Sequence, residues 1–261
     1  MNQDYIQPNE WSIIEEGFDK ERVKSSESLF SIGNGAMGQR ANFEETYTGK
    51  TFQGSYIGGV YYPDKTRVGW WKNGYPEYFA KVINAPNWIG INVEINGEAL
   101  DLNTCKEVRN FRRELNMKEG WYQRSFEATL QNGTEIAVES TRILHIENDE
   151  LGIINYQVTP LNMDAEISFT PYLDGGITNE DSNWDDKFWD TLSVQEGNHQ
   201  AFIRSRTMKT HFDVCTYMQS KVFVNGIEKL LDYTAAIKEL SVALTYKVSV
   251  KKGSLLVILF L

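Results

Sequence analysis

Three Asn-Gly pairs, Asn96-Gly97, Asn132-Gly133 and Asn225-Gly226, each follow a short segment rich in apolar residues. Such a pair suits the tight I′ turn, whose two central residues take positive φ, and that turn joins antiparallel strands. Segment 89–95 alternates apolar and polar residues before the first pair, and 126–130 and 136–140 flank the second. Segment 221–224 precedes the third, and Gly197-Asn198 is expected to close another turn. Further strands are predicted at 153–160, 165–172, 201–206 and Ser241–Val250. Helical periodicity is nearly absent, its best candidate being 227–233. Hairpin-joined strands cannot assemble a parallel βαβ sheet. The expected fold is therefore all-β, a large antiparallel β-sandwich. With no internal repeat and no low-complexity linker, residues 1–261 read as a single domain, a length common for such sandwiches.

One motif points elsewhere. Gly33-Asn34-Gly35-Ala36-Met37-Gly38 spells G-x-G-x-x-G after an apolar run. A dinucleotide site needs a long helix after these glycines and an acid about 20 residues on. The following segment, 39–49, is short and ends in Thr46-Tyr47-Thr48-Gly49, and Gln53-Gly54-Ser55 stands where the acid belongs. The nucleotide reading fails. Nucleic acid is excluded by charge: 26 basic against 36 acidic residues leave −10, with no basic run to neutralise phosphates. Cys105 and Cys215 lack the spacing of a zinc site or a disulfide framework. The first residues, Met1-Asn2-Gln3-Asp4-Tyr5, lack the basic and apolar regions of a signal peptide, so a cytoplasmic location is expected. The apolar run 254–261 is far too short for a membrane span, which needs about 20 residues. It predicts a buried strand, and its abrupt apolar finish reads as a chain cut short or shifted in frame.

Segment 27–45, which contains these glycines and continues Gln39-Arg40-Ala41-Asn42-Phe43-Glu44-Glu45, closely resembles the amino-terminal part of glycoside hydrolase family 65. That family holds the maltose, trehalose, kojibiose and nigerose phosphorylases. Three more blocks follow in the family's order. They are Pro86-Asn87-Trp88-Ile89-Gly90-Ile91 with Leu100-Asp101-Leu102, then 111–120, then 158–162 continuing through Tyr172-Leu173-Asp174-Gly175 to 179–189. Together they cover most of 5–250 and look most similar to the maltose phosphorylase branch. The resemblance implies a galactose mutarotase-like super-sandwich, followed in complete members by a helical linker and an (α/α)6 barrel. There an acid protonates the glycosidic oxygen while inorganic phosphate, the co-substrate, attacks the anomeric carbon from the opposite face. The blocks match the sandwich alone. No catalytic residue is therefore assigned to this chain, and no cofactor or metal is expected. Implied partners are the absent barrel, an α-linked glucose disaccharide through the complete enzyme, and a second copy in a homodimer. A free-standing carbohydrate-binding module and a mutarotase-like epimerase are the alternative readings.

Two groups are candidates for facing substrate or barrel. Asn179, Glu180, Asp181, Asn183, Trp184 and Lys187 form the most polar and aromatic loop. Its Asp181-x-Asn183-x-Asp185 pattern does not make a calcium loop, since Asp186 stands for the glycine and Leu192 for the glutamate. Trp70 and Trp71 could stack on a sugar or bury at an interface. His145, His199 and His211 are the histidines a mutarotase would need, but no spacing unites them. The pairs Glu15-Glu16 and Glu44-Glu45 are expected to point to opposite faces of a strand, which makes them poor acid–base partners.

Overall fold

Every strand pairing is antiparallel in the computed structural model, which describes residues 5–66, 74–179 and 187–261. The larger sheet runs in the order Ile6–Pro8, Ser12–Glu16, Glu107–Asn116, Trp121–Thr129, Glu135–Leu144, Gly152–Pro160, Leu256–Phe260, Asp213–Val224, Gln200–Thr207, Trp189–Gly197. Ile227–Lys229 also pairs with Asp213–Val224. The facing sheet runs Tyr233–Ile237, Ser241–Val250, Ala165–Asp174, Ile91–Ile95, Glu98–Ala99. Two smaller ribbons complete the described strands. One joins Ile32–Gly33, Met37–Gln39 and Ser55–Ile57, and the other joins Tyr61–Lys65 to Tyr78–Val82. A β-sandwich results, as the turn chemistry implies.

The period-two pattern becomes the packing. Phe126, Val138, Val158 and Leu256 lie side by side across four strands, each nearly inaccessible to water. They meet Ile91, Val93, Ile167, Phe169, Val242 and Leu244 from the facing sheet in one continuous apolar cluster. Tyr156 and Phe169 touch edge-on across the layers at 6.1 Å. Burying such side chains contributes about 1.5–3 kcal/mol each, which makes alternation the main determinant of register.

The turns hold with two modifications, one of them at Gly197-Asn198, where Asn198 and His199 take the positive φ and Gly197 stays in its strand opposite Gln200. Asn96 and Gly97, and Asn225 and Gly226, take the paired positive φ of a I′ turn. At Asn132-Gly133 only the glycine does, inside a wider loop in which Leu130 N donates to Thr134 O. Here the Glu98 carboxylate accepts from the backbone N–H groups of Gln131 and Asn132, so a tertiary contact sets the loop. The expected helix at 227–233 is a correction. Gly226 reverses the chain, Ile227–Lys229 pairs back onto its neighbour, and Tyr233–Ile237 joins the second sheet. The helix among the described residues is Val23–Leu29, closed by Phe30 N donating to Ser26 O.

Leu256–Phe260 is not an edge. It sits between Gly152–Pro160 and Asp213–Val224, hydrogen-bonded on both sides, with Leu256, Ile258 and Phe260 fully buried. Replacing Ile258 by alanine is expected to cost about 2–5 kcal/mol, read as a fall in the urea midpoint. An unchanged midpoint would show that this strand is dispensable.

Candidate functional site

The six-residue glycine motif is a hairpin. Ile32–Gly33 pairs with Met37–Gln39, and Asn34 closes the turn by accepting from the N–H groups of Ala36 and Met37 at 3.1 and 2.7 Å. Its amide also donates to the carbonyls of His145 and Asp149, both at 2.8 Å. Gly35 has φ +95, which favours glycine, and a Cβ on Gly58 would stand 3.1 Å from the Gly35 carbonyl. The glycines therefore serve a tight turn against neighbouring backbone.

The residues after the turn lie across the inner face of the larger sheet. There the sequence has placed arginines where apolar residues would otherwise stand. Arg113, Arg124 and Arg142 are each at most 1% exposed. Arg124 donates to both Glu45 oxygens at 2.6 Å and to Glu44 at 2.8 Å. Arg142 donates to Glu44 and to the carbonyls of Arg40 and Asn42. Arg113 pairs with Glu15 at 3.5 Å. Tyr156 donates to Glu45 at 3.1 Å. Aromatic rings cover the guanidinium faces. Phe43 lies 4.5 Å from Arg124 and 5.0 Å from Arg113, and Tyr122 lies 5.5 Å from Arg142.

Glu44 and Glu45 thus converge, contrary to the expected opposite faces. They belong to an irregular segment rather than a strand, so two-residue alternation does not apply. Glu15 and Glu16 do alternate, one buried and one exposed. Burial pushes the Glu44 carboxyl up, but Arg142 and then Arg124 outweigh it and hold it down at about 2. Burial raises Glu15, which Arg113 only partly offsets. Glu44 is thus locked in ion pairs with Arg124 and Arg142.

A second web leads from this cluster to the predicted loop. Asn84 N donates to Asn179 Oδ1 at 2.7 Å, and Asn179 Nδ2 donates to Val82 O at 3.1 Å. Asn84 Oδ1 accepts from Ser55 N at 2.8 Å, and its amide donates to Gln53 Oε1 at 2.9 Å. Ser55 Oγ donates to Gln39 Oε1 at 2.6 Å. Gln39 in turn donates to the Arg40 carbonyl, which accepts from Arg142. Trp189 Nε1 donates to Asn84 O at 2.7 Å in the interior. A continuous path of hydrogen bonds runs from Asn179 to Glu44. Sequence reasoning singled out Asn179 but missed Asn84, Gln39 and Ser55, because isolated amides and hydroxyls carry no periodic signal.

Of the other predicted residues, Lys187 is described and exposed. Trp70, Trp71, Glu180, Asp181, Asn183 and Trp184 lie outside the described residues. Asn179 binds the ribbon formed by Tyr61–Lys65 and Tyr78–Val82 at Val82. The histidines stay apart. His145 Nδ1 accepts from Asn148 N at 2.9 Å, and His199 packs 4.8 Å from Tyr233. His199 and His211 flank the strand Gln200–Thr207, about 25 Å apart at the usual rise per residue. A shallow groove of about 320 Å³, lined by Asn110, Ser125, Glu127, Glu139 and Gln157 among others, lies on the opposite face of the larger sheet. It contains none of the predicted residues. Among the described residues, no cluster of three or more His, Cys, Asp or Glu side chains could hold a metal ion. No helix among them is long and apolar enough to cross a membrane.

Known proteins are similar to this chain in sequence and in fold. The profile described as glycosyl hydrolase family 65, N-terminal domain, matches residues 13–258. Maltose phosphorylase of Bacillus subtilis (strain 168) is 41% identical over 256 residues, covering 97% of this chain and 34% of that protein. Alpha,alpha-trehalose phosphorylase of Thermoanaerobacter brockii is 28% identical, covering 78% of this chain and 28% of its own. Kojibiose phosphorylase of Escherichia coli (strain K12) is 28% identical, covering 64% and 20%. This chain therefore spans between a fifth and a third of these relatives. A solved structure from the human microbiome, named as a candidate kojibiose phosphorylase, superimposes with a TM-score of 0.83 at 24% identity over 98% of this chain and 33% of that one. That likeness shows the fold.

The ion cluster sets a pH dependence. Glu44 is depressed in the folded state, so the stability it supplies is complete above its ordinary 4.5 and is lost as pH falls toward about 2. Glu44→Gln is expected to destabilise by about 3–5 kcal/mol at neutral pH, by leaving a buried arginine short of its partner. It is also expected to flatten the slope of stability across that acidic window. Urea midpoints at a series of pH values check both, and an unaltered acid slope in the variant would assign the effect to other carboxylates.

Proposed function

Because this chain belongs to glycosyl hydrolase family 65 and aligns with that family's N-terminal domain over residues 13–258, we propose that residues 1–261 form the single N-terminal sandwich of an inverting α-glucoside phosphorylase of the maltose type. The observation that carries the maltose assignment is the degree of identity. It is higher for maltose phosphorylase than for the trehalose and kojibiose enzymes, and it extends along nearly the whole chain.

In this reading an α-linked glucose disaccharide and inorganic phosphate meet in the remaining two thirds of the enzyme, an (α/α)6 barrel. There an acid protonates the glycosidic oxygen and phosphate displaces it from the opposite face of the sugar, with inversion. The sandwich forms no bond itself and needs no cofactor. It braces the barrel, supplies one wall of the sugar site through the loop beginning at Asn179, and supports a cytoplasmic homodimer. The hydrogen-bond path from Asn179 to Glu44 supports the bracing role. A site is held to sub-ångström geometry only when the groups supporting it are themselves locked by packing and hydrogen bonds.

The 261-residue chain with maltose and phosphate is expected to release no glucose 1-phosphate. A chimera in which residues 13–258 replace the matching segment of the Bacillus subtilis maltose phosphorylase is expected to release it. Activity of the isolated chain, or a folded chimera inactive on maltose, would overturn the proposal.

A further inference from the structure

The ribbon formed by Tyr61–Lys65 and Tyr78–Val82 has two faces of different character, one carrying the Lys81–Asp64 ion pair and the other nearly uncharged. On one face Tyr62 pairs across with Lys81, and Asp64 with Phe79. Tyr62 is buried against Phe188 at 4.5 Å, in a satellite core with Ile83, Ala85 and Trp189. On the other face the pairs are Tyr61 with Val82, Pro63 with Ala80, and Lys65 with Tyr78. That face carries one charge in six residues, yet Tyr61 is 43% exposed, Tyr78 51% and Val82 63%. A contiguous apolar face of this kind on a two-stranded ribbon marks an interaction surface.

We infer that the outer face of this ribbon, Tyr61, Pro63, Tyr78, Ala80 and Val82, is the seat on which the C-terminal part of a family 65 enzyme docks, through an apolar surface of its own. The inference rests on the reading given under Proposed function. Two observations choose this occupant over a second copy of the chain. The relatives carry about two thirds or more of their length outside the matched region, which is described as N-terminal, so a large partner is joined to it. The strand Leu256–Phe260 also runs from Val224 toward Ser220 of its neighbour, and so toward Asp213. That is the ribbon's end of the sandwich. Phe212 packs on Tyr61 at 5.5 Å, and Thr210 donates to the Tyr61 carbonyl at 2.9 Å. In the longer relatives, chain following this strand therefore emerges on the ribbon's side. Asn179 binds the same ribbon at Val82, so the seat adjoins the loop proposed to face the sugar.

Hydroxyl-radical footprinting of the isolated chain and of the chimera described above tests the inference. Tyr61 and Tyr78 are expected to be labelled in the isolated chain and to lose that labelling in the chimera. The double substitution Tyr78→Ser with Val82→Ser is expected to lower the chimera's unfolding temperature while leaving that of the isolated chain unchanged. Full labelling of both tyrosines in a chimera that phosphorolyses maltose overturns the docking inference and leaves the functional proposal standing. Protection that appears in the isolated chain as its concentration rises assigns the face to a second copy and overturns it as well. An inactive chimera counts against the functional proposal, and its footprint still decides whether the ribbon is covered.

Discussion

Three guanidinium groups buried in the face of a β-sheet set the conditions that the rest of this molecule meets. Removing a charge from water costs several kcal/mol even after relaxation, so Arg113, Arg124 and Arg142 must be paired wherever they are buried. The carboxylates that pair them come from distant places in the chain, Glu15 on a sheet strand and Glu44 and Glu45 on the segment that crosses it. That segment cannot lift from the sheet without stranding both signs of charge. The constraint then propagates outward. Holding Arg40 and Asn42 over Arg142 fixes Gln39, which fixes Ser55, and Asn84 and Asn179 follow. An apolar core of equal volume could be as stable. The ionic one ties a particular segment in a particular register, because any other placement would take Glu44 and Glu45 away from Arg124 and Arg142.

The same residues explain what the sequence concealed. Apolar alternation revealed the strands to about 126 on one side of a hairpin and 140 on the other. The strands continue to Trp121 and Leu144. The inward position next beyond each limit holds Arg124 or Arg142, and a charge at an inward position looks like the end of a buried face. The Asn-Gly turns were legible because their chemistry is local. The seven-residue helix was not, being too short for a periodic signal and lacking a side-chain cap. Nor could adjacency in sequence show that Glu44 and Glu45 share a partner, since the two-residue rule holds for strands and these residues are in none. Within the candidate site, Asn179 stood out by its loop's composition, while the amide web behind it depends on contacts 95 and 29 positions apart.

Family resemblance and physical reading meet in the segment from Gly33 to Glu45. As a motif it suggested a phosphate-binding turn. As structure it is a hairpin stapled by Asn34, followed by the carboxylates that neutralise the sheet. Its chemistry is that of a fastening between the sheet and the backbone that holds Asn179.

The position of Leu256–Phe260 has a consequence for the order in which the molecule can be made. The strands from Ile6 to Pro160 form one half of the larger sheet, those from Trp189 to Lys229 form the other, and the strand that joins them is the last of the eleven to leave the ribosome. Until it arrives, Gly152–Pro160 and Asp213–Val224 each present an open edge, with apolar side chains already in place along it. A chain in which that strand has not yet docked thus carries two unsealed half-sheets, and unpaired strand edges are prone to aggregate.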